Sequence, residues 1–119
     1  MTKYTISKEF GFSASHQLTG LEENHPCSRL HGHNYIVKVT LGADNLDEIG
    51  FVTDYRELEP IKTFVDNVLD HRHLNNVVEE NPTAECLAFA IYQRFADQFP
   101  ELISVSISET PKTWATYTP

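Results

Sequence analysis

Two stretches in the first half of the chain constrain its fold most. Residues 2 to 14, TKYTISKEFGFSA, are rich in Tyr, Thr, Ile and Phe and roughly alternate apolar with polar, the period of a half-buried strand. From His33 to Leu41, HNYIVKVTL, β-branched and aromatic residues argue for a second strand. Residues 18 to 30 between them hold Gly, Asn, His, Pro, Cys and Ser and read as a loop, and Gly42 to Gly50 is a polar turn region. The first half is therefore expected to be a long hairpin.

At Asp54 the pattern changes. Asp54 can cap a helix, and Glu57 stands where a capping box places its acidic residue. Leu58, Ile61, Val65 and Val68 or Leu69 then recur at helical spacing up to about Asp70. Pro60 implies an irregular first turn or a start near Pro60 itself. A second helix is expected after ENPTAE, with Thr83 as cap and Ala84, Leu87, Ala88, Ile91, Phe95 and Phe99 in phase up to Pro100. LISVSISE (102 to 109) and TWATYT (113 to 118) complete the order ββααββ. That order indicates an α+β fold, a four-stranded antiparallel sheet with two helices on one face. Such a sheet has two open edges, so pairing between copies, a homo-oligomer, is expected.

The chain has 119 residues and neither repeats nor low-complexity segments, so residues 1–119 are read as one domain. No run of eighteen apolar residues is present, which argues against a membrane span. The N-terminus MTKYTISKEFGF has no secretory pattern, so a cytoplasmic protein is expected. Lys and Arg total 9 against 17 Asp and Glu, giving −8, a poor surface for nucleic acid. A small anionic substrate remains compatible, because a metal and a few cations can make a local positive pocket. With no export signal, a disulfide between Cys27 and Cys86 is not expected.

Six histidines are the most informative residues. His31 and His33 are two apart, so on a strand both imidazoles project from one face. Gly32 between them allows another backbone to come close. An H-x-H pair alone is common and seldom a ligand pair. His16, at the end of the first strand and across the hairpin, supplies a third imidazole. Three neutral histidines with an open fourth position form a catalytic zinc arrangement. Cys27 has two readings: a fourth ligand closing the site, or a nearby thiolate acting as base or nucleophile. Cys86, in an apolar helix, reads as a quiet core thiol. Asp70 and His71, in LDHRHLN, form a pair suited to proton transfer, provided a helix ends there. The alternative is a polar helix terminus with histidine near the negative dipole end. Glu109 ends the third strand, where a lone carboxylate is ordinarily solvated.

FSASHQL, CSRLHGHNY, GFVTDYRELEP, LDHRHLN, ENPTAE and SISET, in this order from residue 10 to 110, together resemble the 6-pyruvoyl-tetrahydropterin synthase family. The resemblance implies the tunnelling fold, in which ββααββ subunits pair into a barrel, commonly a hexamer of two trimers with sites between subunits. It implies Zn2+ on His16, His31 and His33, Cys27 as catalytic thiol, and Asp70 with His71 as the proton-transfer pair. It implies Glu109 as the anchor of a pterin substrate, with Thr83 and Glu85 lining the pterin pocket. The C-x-x-x-H-G-H spacing resembles the bacterial branch that forms 6-carboxytetrahydropterin from 7,8-dihydroneopterin triphosphate in queuosine biosynthesis. The pyruvoyl-forming branch usually has a longer gap between thiol and H-G-H. Asn76 stands where an Asp often follows Leu-Asn. Arg29, Arg72 and Lys112 are candidates for the triphosphate on position alone. The reading from another class is a non-catalytic metal-binding assembly module, with Cys27 closing the site.

Overall fold

In the computed structural model, which describes residues 2–119, the alternating sequence becomes a hairpin of two thirteen-residue strands. β1 (Tyr4–His16) and β2 (His31–Ala43) pair without interruption from Tyr4 opposite Ala43 to His16 opposite His31. Both strands run two residues further toward the connecting loop than their apolar content suggests. Phe10, Phe12 and Ala14 on β1 and Tyr35, Val37, Val39 and Leu41 on β2 share the buried face. Phe12 and Tyr35 stack there with ring centroids 4.8 Å apart.

Asp54 caps a tight turn, Tyr55–Leu58, by accepting the Arg56 N–H at 2.9 Å. α1 (Glu59–Phe64) follows, with Pro60 in its first turn, where a missing N–H leaves no bond unmade. A wider turn, Val65–Leu69, carries the chain to Asp70. Leu58, Ile61, Val65 and Leu69 are wholly buried, as their spacing requires. α2 (Ala84–Phe95) begins at Thr83, whose Oγ1 accepts the Cys86 N–H at 3.1 Å. α2 ends at Phe95 rather than near Pro100. Phe99 keeps its phase because a further turn follows, with the Phe99 N–H donating to the Phe95 carbonyl at 2.9 Å.

β4 (Leu102–Ser108) pairs antiparallel with β2, and β5 (Ala115–Tyr117) with β4. The expected four-stranded antiparallel sheet is corrected in one respect. A fifth strand, β3 (Arg72–His73), lies parallel to β1 at Ala14 and Ser15, giving the order β3-β1-β2-β4-β5. Two residues carry no readable alternation, and their pairing depends on where the preceding helix delivers the chain.

The helices cover one sheet face. Phe64 of α1 meets Phe95 of α2 edge-on at 5.5 Å, and the buried residues of both helices join those of β1, β2 and β4 in one core cluster. Each large apolar side chain so buried contributes about 1.5–3 kcal/mol. The opposite face carries Ser7, Glu9, Ser13, Asn34 and Lys38. From Tyr4 to Ser13, the outer edge of β1 has no strand partner among the described residues. No helix among them is long and apolar enough to cross a membrane.

Candidate metal centre and active site

The buried stripe of the hairpin ends in imidazole. Positions 10, 12 and 14 lead to His16, and 39, 37 and 35 lead to His33 and His31, all on the core side. Pairing places His16 directly opposite His31, and their Nε2 atoms lie 2.9 Å apart. The ring centroids of the three histidines are 4.5 to 5.1 Å from one another. One nitrogen from each lies within 4.8 Å of the others. Gly32 serves the packing: a Cβ there would stand 3.3 Å from the Ala14 carbonyl oxygen.

The outer nitrogens fix the tautomers. His16 Nδ1 donates to the Pro82 carbonyl at 2.7 Å, and His31 Nδ1 to the Arg29 carbonyl at 2.7 Å. A carbonyl only accepts, so both Nδ1 atoms hold the proton and both Nε2 atoms present lone pairs. Two lone pairs facing at 2.9 Å are unfavourable without a cation between or beside them. His33 Nε2 is buried without a hydrogen-bond partner, and the Glu109 carboxylate stands 3.6 Å away. Burial holds the His33 pKa below the usual imidazole value, against the opposing pull of Glu109. An unpartnered neutral imidazole beside two convergent lone pairs fits a metal ion. Cys27 is not a member of this cluster.

Asp70 leaves the preceding turn in extended conformation, and His71 has φ 59, in the left-handed region. That reversal lets adjacent side chains meet: His71 Nδ1 lies 3.0 Å from Asp70 Oδ2. Asp70 Oδ1 accepts the Ser13 N–H at 2.9 Å, and the His71 N–H donates to the Ser13 carbonyl at 2.6 Å. The Ser13 N–H, followed by the bond to His71, holds the Asp70 carboxyl below the usual range. The His71 side chain is 82% exposed. Ser13, Ser15, Gly32, His33, His71 and His73 line one open groove, so one histidine of the cluster, His33, shares it with His71. In it Ser15 Oγ and His73 Nδ1 are hydrogen-bonded at 2.9 Å.

The other expected site residues are placed less centrally. Cys27 sits half-buried on a single turn, Pro26–Ser28. Its carbonyl accepts the Leu18 N–H at 3.0 Å, tying the turn to the segment after His16. Glu109 lies between β4 and the last turn, in a second groove it shares with His33, Ile36 and Ser108. Thr83 and Glu85 stand at the start of α2, and the Thr83 hydroxyl is engaged as its cap. Neither groove is lined by Cys27, Thr83 or Glu85. Arg72 reaches the Asn67 carbonyl at 3.2 Å. Tyr35 was not singled out from sequence, yet its hydroxyl is 3.2 Å from His16 Nδ1. Its place two residues beyond His33 on the buried parity is the signal that could have found it. The Pro82 and Arg29 carbonyls carry no side-chain signal at all.

The 6-pyruvoyl tetrahydropterin synthase family profile matches residues 5–119. A Synechocystis protein named 6-carboxy-5,6,7,8-tetrahydropterin synthase is 37% identical over 121 residues, spanning 96% of this chain and 92% of its own. A Bacillus subtilis protein of the same name is 32% identical over 129 residues, with 98% and 86% covered. The solved structure of Caenorhabditis elegans 6-pyruvoyl tetrahydropterin synthase superposes with a TM-score of 0.84 at 29% identity, covering 98% of this chain and 95% of that one. The tunnelling fold, the three-histidine cluster and this match over nearly the whole length agree, and the chain belongs to the 6-pyruvoyl tetrahydropterin synthase family.

Proposed function

We propose that the protein is a zinc-dependent 6-carboxy-5,6,7,8-tetrahydropterin synthase. It would convert 7,8-dihydroneopterin triphosphate and water into 6-carboxytetrahydropterin, acetaldehyde and triphosphate, supplying queuosine precursors in the cytoplasm. The observation that carries this is the convergent His16–His31–His33 cluster, whose His33 lines the same groove as His71, in a chain whose relatives bear that name.

His16, His31 and His33 would hold the zinc, three imidazoles being a donor set zinc accepts. When bound, zinc supplies Lewis acidity toward the hydroxyls of the pterin side chain. Glu109 would receive the pterin amino and ring N–H groups, a planar donor pair that a carboxylate matches. Cys27 as thiolate would take or relay a proton at the side-chain carbon next to the ring. His71, oriented and charge-stabilised by Asp70, would give or accept a proton at the neighbouring carbon. Two groups of different proton affinity serve the internal redox shift and the carbon–carbon cleavage that follows.

Cys27, Thr83 and Glu85 line neither groove of the single chain, and His71 is exposed. Completion of the site by a neighbouring subunit accounts for both. The open edge of β1 supports such an assembly, a hexamer in the family's pattern.

The test is a product assay with zinc-loaded protein and 7,8-dihydroneopterin triphosphate. Acetaldehyde and the carboxypterin together support the reading. A pyruvoyl product without acetaldehyde moves the enzyme to the branch represented by the C. elegans neighbour, and the C-x-x-x-H-G-H spacing disfavours that outcome. Pterin binding without conversion favours a non-catalytic metal module.

A further inference from the structure

We infer that His25 is a positioning residue for Cys27, acting through the backbone of the turn that carries the thiol. This role rests on Cys27 being the catalytic thiol. The turn Pro26–Ser28 is three residues long, too short to be rigid by its own hydrogen bonds. It is held from outside. The Cys27 N–H donates to His25 Nδ1 at 3.0 Å, so the imidazole takes the N-cap place that Ser, Thr, Asp or Asn usually fills. Pro26 fixes φ between cap and thiol residue. The His25 carbonyl accepts both the Ser28 N–H at 3.0 Å and the Ser28 hydroxyl at 2.7 Å. From the far side, the Leu18 N–H donates to the Cys27 carbonyl at 3.0 Å, and Gln17 Nε2 to the Ser28 carbonyl at 3.0 Å.

His25 itself is exposed, so no burial in the core explains an imidazole at this position. The bond to Cys27 fixes its tautomer. A backbone N–H can only donate, so Nδ1 must be unprotonated and Nε2 must hold the hydrogen. His16 and His31 have the opposite tautomer, so the two kinds are distinguishable by observation. Through this cap His25 sets the direction of the Cys27 Cα–Cβ bond without touching substrate.

The experiment uses the zinc-loaded full chain. Long-range proton–nitrogen NMR should find His25 as the Nε2–H tautomer, and an Nδ1–H form overturns the assignment. In His25→Ala the Cys27 amide should exchange about fivefold or more faster, the scale set by loss of an N-cap. His25→Asn restores a cap oxygen and should return exchange to the original rate. In turnover, His25→Ala should lower kcat with KM for the pterin unchanged, and His25→Asn should recover most of it. Unaltered exchange and kcat in His25→Ala overturn the role. Failure of His25→Asn to rescue kcat overturns it as well, because the imidazole would then act by its own chemistry. The tautomer and exchange readouts need no activity. An inert Cys27, seen as full turnover in Cys27→Ala, is therefore distinguishable from an error about the cap.

Discussion

His16 and His31 face each other across β1 and β2 with Nε2 atoms 2.9 Å apart, while their Nδ1 atoms donate to the Pro82 and Arg29 carbonyls. The backbone thus selects the tautomers that turn both lone pairs inward. His31→Ala is expected to lose bound zinc, and full occupancy by elemental analysis would remove His31 from the ligand set. Tyr35→Phe takes away only the hydroxyl beside His16 Nδ1 and should weaken zinc binding by at most about tenfold, measured by competition with a chelator.

Cys27→Ala should retain zinc and pterin binding and lose turnover by about 10²–10⁴-fold, the range for a positioned proton-transfer group. Normal kcat would rule out a catalytic thiol.

Glu109 lies 3.6 Å from His33 and shares a groove with it, next to the metal cluster. Glu109→Gln keeps the shape and removes the charge. Pterin affinity by titration should drop about tenfold or more, since hydrogen bonds to a charged group contribute about 1.5–3 kcal/mol. An unchanged Kd contradicts the anchor.

Asp70 is held below its ordinary value of 3.8, first by the Ser13 N–H and then by His71. Its folded pKa is depressed, so its contribution to stability is complete above 3.8 and is lost as pH falls through the lower folded value. Asp70→Asn should therefore be less stable than the natural chain at neutral pH, and the gap should narrow as acid is added below 3.8. Urea midpoints across that window measure it. A gap independent of pH would mean that the carboxylate charge contributes nothing.

Thr83→Ala removes the α2 cap and should cost about 1 kcal/mol in urea unfolding, while Thr83→Ser should be nearly neutral. If Thr83 also lines the pterin pocket of the assembled enzyme, the alanine variant binds pterin more weakly. An unchanged pterin Kd leaves it the cap alone.

Sequence by itself determined the elements whose signals are local and repeated. The alternation of residues 2 to 14, with the β-branched run to Leu41, specified the hairpin, and its parity put His16, His31 and His33 on one face. Spacing and capping residues specified the helices: Asp54 and Thr83 both cap as their side-chain chemistry requires. Tertiary structure decided whatever depends on where the chain goes between elements. β3 exists because the turn after α1 lays Arg72 and His73 beside Ala14 and Ser15, and two residues have no period to read. Asp70 and His71 face each other only because His71 adopts positive φ, while Asp70 is bound to Ser13, on a strand fifty-seven positions away. The imidazole tautomers are set by two carbonyls, and a carbonyl is the same in every residue. Side-chain pattern encodes which face a residue occupies, and the folded path alone encodes which backbone atom it meets.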